Sequence, residues 1–303
     1  MKKFIVLTTI QEPTEATIKF SKKEDWTLVV VGDTKTPHEA YEKINCVYLH
    51  PDEQDKLYPE LSKALGWKTI QRRNVGFVYA YDQGADVVAT VDDDNIPYDN
   101  WGDNLIVGKE VSIDVWECDN GFFDPLSVTE DNYLWHRGYP IEKVKTKNNV
   151  TYIGEQKRKV LIQADLWDGD PDIDAMCRLP HRPVVKYNVD KPFGSNQLSP
   201  FNSQNTFIAR ELLPYYMVLP FVGRMDDIWG GYQLYDVCKR KDFVAYCKAS
   251  VYQDRNEQDL VTNLEKEVVG YRETLNFITG KKTLEDISEE SSKCYSIYRG
   301  CFK

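Results

Sequence analysis

The sequence contains no apolar run long enough to cross a bilayer. Stretches such as Phe4-Ile5-Val6-Leu7 and Leu28-Val29-Val30-Val31 fall far short of the ~20 residues that a spanning helix needs. A secretory signal is missing as well: Met1-Lys2-Lys3 leads into a short apolar run and then polar Gln11-Glu12-Pro13, with no small-residue cleavage site. A soluble, cytoplasmic protein with no membrane span is expected, and on that expectation the sequon Asn149-Val150-Thr151 is a chance match. No C-x-x-C pair occurs among the seven cysteines at 46, 118, 177, 238, 247, 294 and 301, a pattern of reduced thiols rather than of a zinc site. An excess of basic residues is also absent. Asp+Glu 48 against Lys+Arg 38 leaves a formal charge of -10, which disfavours a large nucleic-acid footprint built on clustered Lys and Arg.

What is present is material for a core. Of the 303 residues 42% are hydrophobic and 13% aromatic, too many for a disordered chain. The unbroken apolar run at residues 3–9 predicts a buried strand, followed by a helix over 14–23, a strand over 26–31 and a helix over 37–44. A short strand at 47–49, helices at 57–65 and 68–83, and a strand at 87–91 continue the alternation. This order predicts an α/β, Rossmann-like fold with a mixed, mostly parallel sheet flanked by helices. Beyond residue 100 the pattern loosens. Residues 116–124 and 133–140 read as long functional loops, 143–159 as an exposed hairpin or loop, and the proline-rich 178–200 as irregular. A strand at 206–209 and a helix at 229–239 follow, and Leu260, Leu264, Val268, Tyr271 and Leu275 recur at helical spacing. With no internal repeat, low-complexity tract or long linker, residues 1–253 are expected to form one ligand-binding catalytic domain, and residues 254–303 a helical extension packed on it.

Ligands of such sheets sit at the carboxyl ends of the strands. There the sequence places Thr8-Thr9-Ile10-Gln11-Glu12, Gly32-Asp33 and Asp92-Asp93-Asp94-Asn95. Three adjacent carboxylates repel one another unless a cation offsets them. Mn2+ or Mg2+, completed by substrate phosphate oxygens, is the natural partner. Arg72-Arg73-Asn74 opens the helix before the acidic strand, offering a planar fork and an amide that both donates and accepts. Asp33 suits a base or a ribose, or a simple turn. A second acidic group, Gly223-Arg224-Met225-Asp226-Asp227-Ile228-Trp229-Gly230-Gly231, precedes a helix. One of its acids is expected to cap that helix and the other to act as a general base or to orient substrate, with the glycines letting a sugar near the backbone. Trp167-Asp168-Gly169-Asp170-Pro171-Asp172-Ile173-Asp174-Ala175 is a third acidic group, too unlike a calcium loop to be an EF-hand. Trp135-His136-Arg137-Gly138-Tyr139-Pro140 sets aromatics around a cation.

Four of these stretches, Val91-Asp92-Asp93-Asp94-Asn95, Arg137-Gly138-Tyr139-Pro140, Leu166-Trp167 through Asp172-Ile173-Asp174-Ala175, and Gly223 through Gly231, occur in this order across residues 3–241. Together they resemble the nucleotide-sugar enzymes of the GT-A fold, in particular the reversibly glycosylated polypeptides (UDP-arabinopyranose mutases) and the STELLO-type glycosyltransferases. The resemblance implies a GT-A-like sheet in which Asp92, Asp93 and Asp94 form the metal and sugar-nucleotide motif. Asp94 would be the direct metal ligand and Asp92 would lie nearer the ribose or sugar. Thr8, Thr9, Gln11, Asp33, Arg73 and Asn74 would line a uridine pocket, with Arg224 and Trp229 also at the donor. Asp226 and Asp227 would face the sugar or acceptor. The chain departs from the mutases in lacking the arginine that becomes glycosylated shortly after Gly138-Tyr139-Pro140, where it reads Ile141-Glu142-Lys143-Val144-Lys145.

That departure favours transfer to an external acceptor over self-glycosylation. The expected reaction passes a sugar from a nucleoside-diphosphate sugar, a UDP-sugar by family likeness, to an acceptor hydroxyl. A metal on Asp94, with Arg137 or Arg224 beside it, would offset charge on the leaving diphosphate, and Asp227 or Asp226 would deprotonate the acceptor. A UDP-arabinopyranose isomerase and a catalytically silent sugar-nucleotide binder are the rival readings.

Overall fold

Runs of β-branched residues with no polar interruption supply strands that are covered on both faces. Four of them form the N-terminal half of the sheet: β1 (Lys3–Thr9), β2 (Thr27–Gly32), β3 (Val47–Leu49) and β4 (Val87–Val91). The computed structural model describes residues 1–255 and 258–302. The remaining strands are β5 (Asn95–Pro97), β6 (Glu110–Cys118), β7 (Val150–Lys159), β8 (Ile162–Gly169), β9 (Phe193–Gly194), β10 (Asn205–Ala209) and β11 (Val244–Gln253). They join one sheet in the order β3-β2-β1-β4-β10-β8-β11-β9-β6-β7, with β5 pairing on β11. Pairing directions make β1–β4, β7, β8 and β11 run one way and β5, β6, β9 and β10 the other. The sheet is therefore mixed and mostly parallel, with helices packed against it, as the alternation of elements predicts.

Between β1 and β4 the order of the parallel strands reverses. In open α/β sheets that reversal leaves a crevice beyond the carboxyl ends, because the connections on its two sides depart in opposite directions. Residues 8–9 and 92–94 are the ends of these two strands.

The helices are α1 (Glu15–Phe20), α2 (His38–Tyr41), α3 (Pro51–Leu57), α4 (Pro59–Leu65), α5 (Arg73–Asp82), α6 (Ala175–Arg178), α7 (Asp226–Cys238), α8 (Leu260–Ile278), α9 (Leu284–Ile287) and α10 (Glu289–Gly300). α5 lies on β1 and β2. A side chain at its Gly76 would stand 2.5 Å from Val6 and 2.8 Å from Val31, so glycine permits the close approach that brings Arg73 to the end of β4.

Three segments differ from their sequence expectation. The polar stretch within 143–159 contributes an ordinary strand, β7, at the sheet edge, where Glu155, Lys157 and Lys159 keep the outer face charged and Arg158 turns inward to the Ser195 carbonyl. β8 and β11, parallel neighbours at the centre of the second half, lie where no strand was read. In α8 the expected apolar positions are only half-buried, and the buried stripe is Glu267, Gly270 and Thr274. Each meets a specific partner on the segment leading into α7 or on α7 itself: Glu267 pairs with Arg224, Gly270 leaves room for Met225, and Thr274 accepts from Trp229. The last helix joins the same core, its buried Tyr298 hydroxyl donating to the carbonyls of Leu213 (2.7 Å) and Tyr216 (2.8 Å). Among the described residues no helix is long and apolar enough to cross a membrane.

A Cβ at Gly230 would fall 2.0 Å from the Met217 carbonyl oxygen, a backbone atom with little freedom to yield. Gly230→Ala is expected to cost ~1–3 kcal/mol in urea unfolding, the range of overpacked cores.

Candidate active site

At the crevice, each acid of the triplet has a different neighbour. Asp92 pairs with Arg73 Nη2. Asp93 accepts from Thr9 Oγ1 (2.5 Å), and burial raises its carboxyl above the ordinary value. Among the described residues, the buried Oδ1 of Asp94 has no hydrogen-bond partner. Burial and the adjacent Asp92 push its carboxyl up to about 7, while the Arg255 charge pulls the other way.

The expected uridine-pocket residues divide between open and committed groups. Gln11 is exposed at the rim, its backbone N–H donating to Thr9 Oγ1 (3.0 Å). Thr8 Oγ1 donates to the Val31 carbonyl (2.9 Å). The Asp33 carboxylate is buried and accepts from the backbone N–H groups of Thr34 (2.6 Å), Lys68 (2.7 Å) and Thr69 (3.1 Å), so it pins the loop leading to α5. Asn74 is buried and clamps Val218, donating to its carbonyl (2.8 Å) and accepting from its N–H (2.9 Å). Arg73 Nη1 donates to the Ser203 carbonyl (3.0 Å) and hydroxyl (2.7 Å). The neighbouring Arg72 is wholly internal, stacked on Trp67 at 3.7 Å and bonded to Gln54 and Ser62.

Arg137 gathers the other motifs. Its buried fork donates from Nε to Asp172 Oδ1 (2.8 Å), from Nη2 to Asp172 Oδ2 (3.0 Å) and Asp227 Oδ1 (3.0 Å), and from Nη1 to the Arg224 carbonyl. Asp227 also accepts from Ser203 N–H (2.8 Å) and Oγ (3.1 Å). Ser203 thus joins the Arg137 group to the Arg73–Asp92 pair, and all four resemblance motifs meet in one chain of contacts.

These contacts separate the two acids of the Asp226-Asp227 pair. Burial would raise Asp227, but Arg137 outweighs it and holds the carboxyl below the usual range. Asp226 keeps 14% of its side chain exposed, accepts from Gln71 Nε2 (2.9 Å) and stands 3.8 Å from Arg137 Nη1. Burial, then repulsion from Asp227, pushes it up to about 7. A base poised near neutrality is suited to proton transfer, so the electrostatics favour Asp226 where the sequence had put Asp227 first. Neither is the helix cap. Met225 takes that position without a side-chain bond, and the first-turn acids favour the positive end of the helix dipole instead.

Three other expectations need correction. Trp229 is fully buried, its Nε1 donating to Thr274 Oγ1 (3.0 Å) and its ring 5.1 Å from Phe277, so it presents no face to a donor. Gly230 and Gly231 face Met217 and Phe201, which makes them packing residues rather than openings for a sugar. Arg137 is too fully engaged to move to a phosphate; Arg224, by contrast, pairs through Nε with Glu267 Oε1 (2.9 Å) and keeps 29% of its side chain exposed.

Among the described residues no group of three His, Cys, Asp or Glu side chains converges in metal-binding geometry. A divalent ion here would take Asp94, with its unpartnered oxygen, and at most Asp92, and complete its shell from phosphate oxygens. That is how Mg2+ is usually held at phosphate-transfer sites, so the donor set fits. A cavity of about 700 Å³ opens elsewhere, lined by residues such as Tyr232, Asp236, Lys282 and Tyr295, and contains none of these groups.

Sequence reading missed Arg255, Ser203 and Gln253. All three lie beside β10 and β11, and Arg255 would have drawn notice as a cation at a strand end had β11 been recognised.

Fold and crevice together are of the Rossmann-like kind. The chain is similar to two curated proteins of Arabidopsis thaliana, "Probable glycosyltransferase STELLO1" and "Probable glycosyltransferase STELLO2". Each is 26% identical over 191 residues, covering 58% of this chain and 24% of the relative. The chain therefore spans about a quarter of the length of these relatives, and the likeness agrees with the STELLO-type motifs. No family model matches. Among solved structures, a mycobacterial protein is similar with a TM-score of 0.47 at 13% identity, covering 93% of this chain and 76% of that one.

Breaking the Arg137 node leaves two buried carboxylates without a counter-charge. Arg137→Met is expected to lower stability by ~3–5 kcal/mol in urea unfolding. Asp226→Asn has a pH-dependent effect. Because the native pKa is raised, stability from the protonated acid is whole below 3.8 and lost as pH climbs to about 7. The variant should therefore gain on the parent across that window and hold its advantage above it, as read by unfolding at pH 4, 6 and 8.

Proposed function

We propose that the chain is a metal-dependent glycosyltransferase of the GT-A kind, taking a nucleoside-diphosphate sugar, in first place a UDP-sugar, and passing the sugar to an acceptor hydroxyl. The observation that carries this reading is Asp94. At the carboxyl end of β4 the carboxylate of Asp94 has one buried oxygen unsatisfied among the described residues, and burial and the adjacent Asp92 raise its pKa. The similarity to proteins named probable glycosyltransferases supports the reaction class.

Asp94, with Asp92 beside it, would hold a divalent ion, which would supply Lewis-acid stabilisation to the departing diphosphate. Arg73 pairs with Asp92 and aligns it, and Thr9 Oγ1 donates to Asp93. In an inverting displacement Asp226 takes the proton of the acceptor hydroxyl as the new C–O bond forms and the bond to the phosphate oxygen breaks. Arg137, through Asp227, fixes the first turn of α7 from which Asp226 reaches out.

Asp94→Ala is expected to remain folded and to lose Mn2+-stimulated transfer; sugar transfer by the variant at the parent rate would overturn the metal assignment. For the base, transfer by the parent should rise with pH about an inflection near 7. Asp226→Asn should be ~10²–10⁴-fold slower with that inflection gone, while retaining donor affinity in calorimetry. Incubation with UDP-arabinose alone separates transfer from ring isomerisation, since only an isomerase interconverts pyranose and furanose without an acceptor.

A further inference from the structure

Arg255 follows β11 and is 7% exposed, yet its guanidinium is poorly satisfied. Its Nε stands 3.3 Å from Asp170 Oδ1, which also pairs with Arg178 Nη1 at 2.6 Å, and among the described residues Nε has no hydrogen-bond partner. Its Nη2 is 4.0 Å from Asp172 Oδ1, an oxygen already taken by Arg137. With its amide turned so that both ends find partners, Gln253 accepts from Nη2 (3.1 Å). Arg137 lies on the other side of Asp172 with three acceptors in line, so the contrast is local. Buried charged groups left open in this way are expensive unless something completes them.

The backbone holds this open cation against the open anion. Asp254 N–H donates to the Asp94 carbonyl (3.1 Å), Asp170 N–H donates to the Gln253 carbonyl (3.2 Å), and Gln253 pairs with Asn95 across β5 and β11. The two side chains are near enough for the Arg255 charge to act on the Asp94 carboxyl, and among the described residues Asp94 Oδ1 and Arg255 Nε each lack a hydrogen-bond partner. A ligand carrying a cation next to oxyanions satisfies both at once, and neither a lone metal nor a lone neutral sugar does.

We propose that Arg255 is a diphosphate-recognition residue, its fork binding phosphate oxygens of the donor opposite Asp94; this rests on the nucleotide-sugar reading above. A guanidinium makes charge-assisted, bidentate bonds to phosphate, which matches the unfilled donors.

The test is calorimetry of the full chain and of Arg255→Gln with UDP and with uridine, both in the presence of Mn2+. Loss of the fork should weaken UDP by roughly 10–100-fold and leave uridine unchanged. Unchanged UDP affinity overturns the proposal and makes Arg255 a counter-ion of Asp170 and Asp172 only. Should Arg255→Gln weaken both ligands alike, Arg255→Lys, which keeps the charge without the fork, decides: a loss confined to UDP supports the role, and a parallel loss or none overturns it. A parent chain that binds neither UDP nor uridine defeats the nucleotide reading itself, an outcome distinct from an unaffected variant.

Discussion

The buried fork of Arg137 between Asp172 and Asp227 is the interaction on which the remaining arrangement depends. Three loop segments far apart in sequence carry charges that none could bury alone. The guanidinium resolves the conflict by taking two carboxylates, and it fastens the loop after β8 and the start of α7 to each other. Ser203 extends the connection to Arg73 and so to Asp92 at the end of β4. Pairs of this kind contribute little net stability against an apolar substitute, because desolvation offsets the Coulomb gain, but they are costly to break. Their effect is to determine which geometry the folded chain can adopt.

This also explains how adjacent residues on α7 come to differ. Asp227 points inward, where Arg137 and Ser203 stabilise its charged form, and it becomes a permanent anion of the framework. Asp226, one residue earlier, has Gln71 as its hydrogen-bond partner, sits farther from the guanidinium and has the fixed charge of Asp227 beside it. The same arginine that locks one acid thereby leaves the other titratable. On the proposed function, two carboxylates driven apart in this way would divide the work of structure and proton transfer.

Much of the first half was legible in the sequence, because strands covered on both faces advertise themselves as unbroken apolar runs and the acids that follow them mark the strand ends. The second half was less so. β8 carries Asp165 and Gln163 in its interior, bonded to each other and to Ser250 of β11, so its polar residues disguise a central strand. α8 is helical as its spacing indicates, but polar and small side chains make the contact, a choice dictated by Arg224, Met225 and Trp229 and invisible without them. The four motifs were legible as motifs, yet their roles were not. Trp229 and the two glycines look the same in sequence whether they face a sugar or a neighbouring helix; only the approach of Met217 and Phe201 decides it.

Seen as electrostatics, the crevice sets Asp92 against Arg73, and Asp227 and Asp172 against Arg137, while Asp94 Oδ1 and Arg255 Nε, like Arg73 Nε and Asp170 Oδ1, lack a hydrogen-bond partner among the described residues. Asp172 and Asp227 are held by fixed donors at hydrogen-bond distance and have little capacity for a ligand. The backbone that carries Asp94 and Arg255 is held by contacts of β5, β8 and β11. A folded chain tolerates such open groups because stability gained elsewhere outweighs their cost, and the consequence is preorganisation: the fold, rather than the ligand, bears the cost of holding the unsatisfied groups in place. On the proposed reading, a ligand that is itself a cation–oxyanion pair would complete both Asp94 and Arg255 at once.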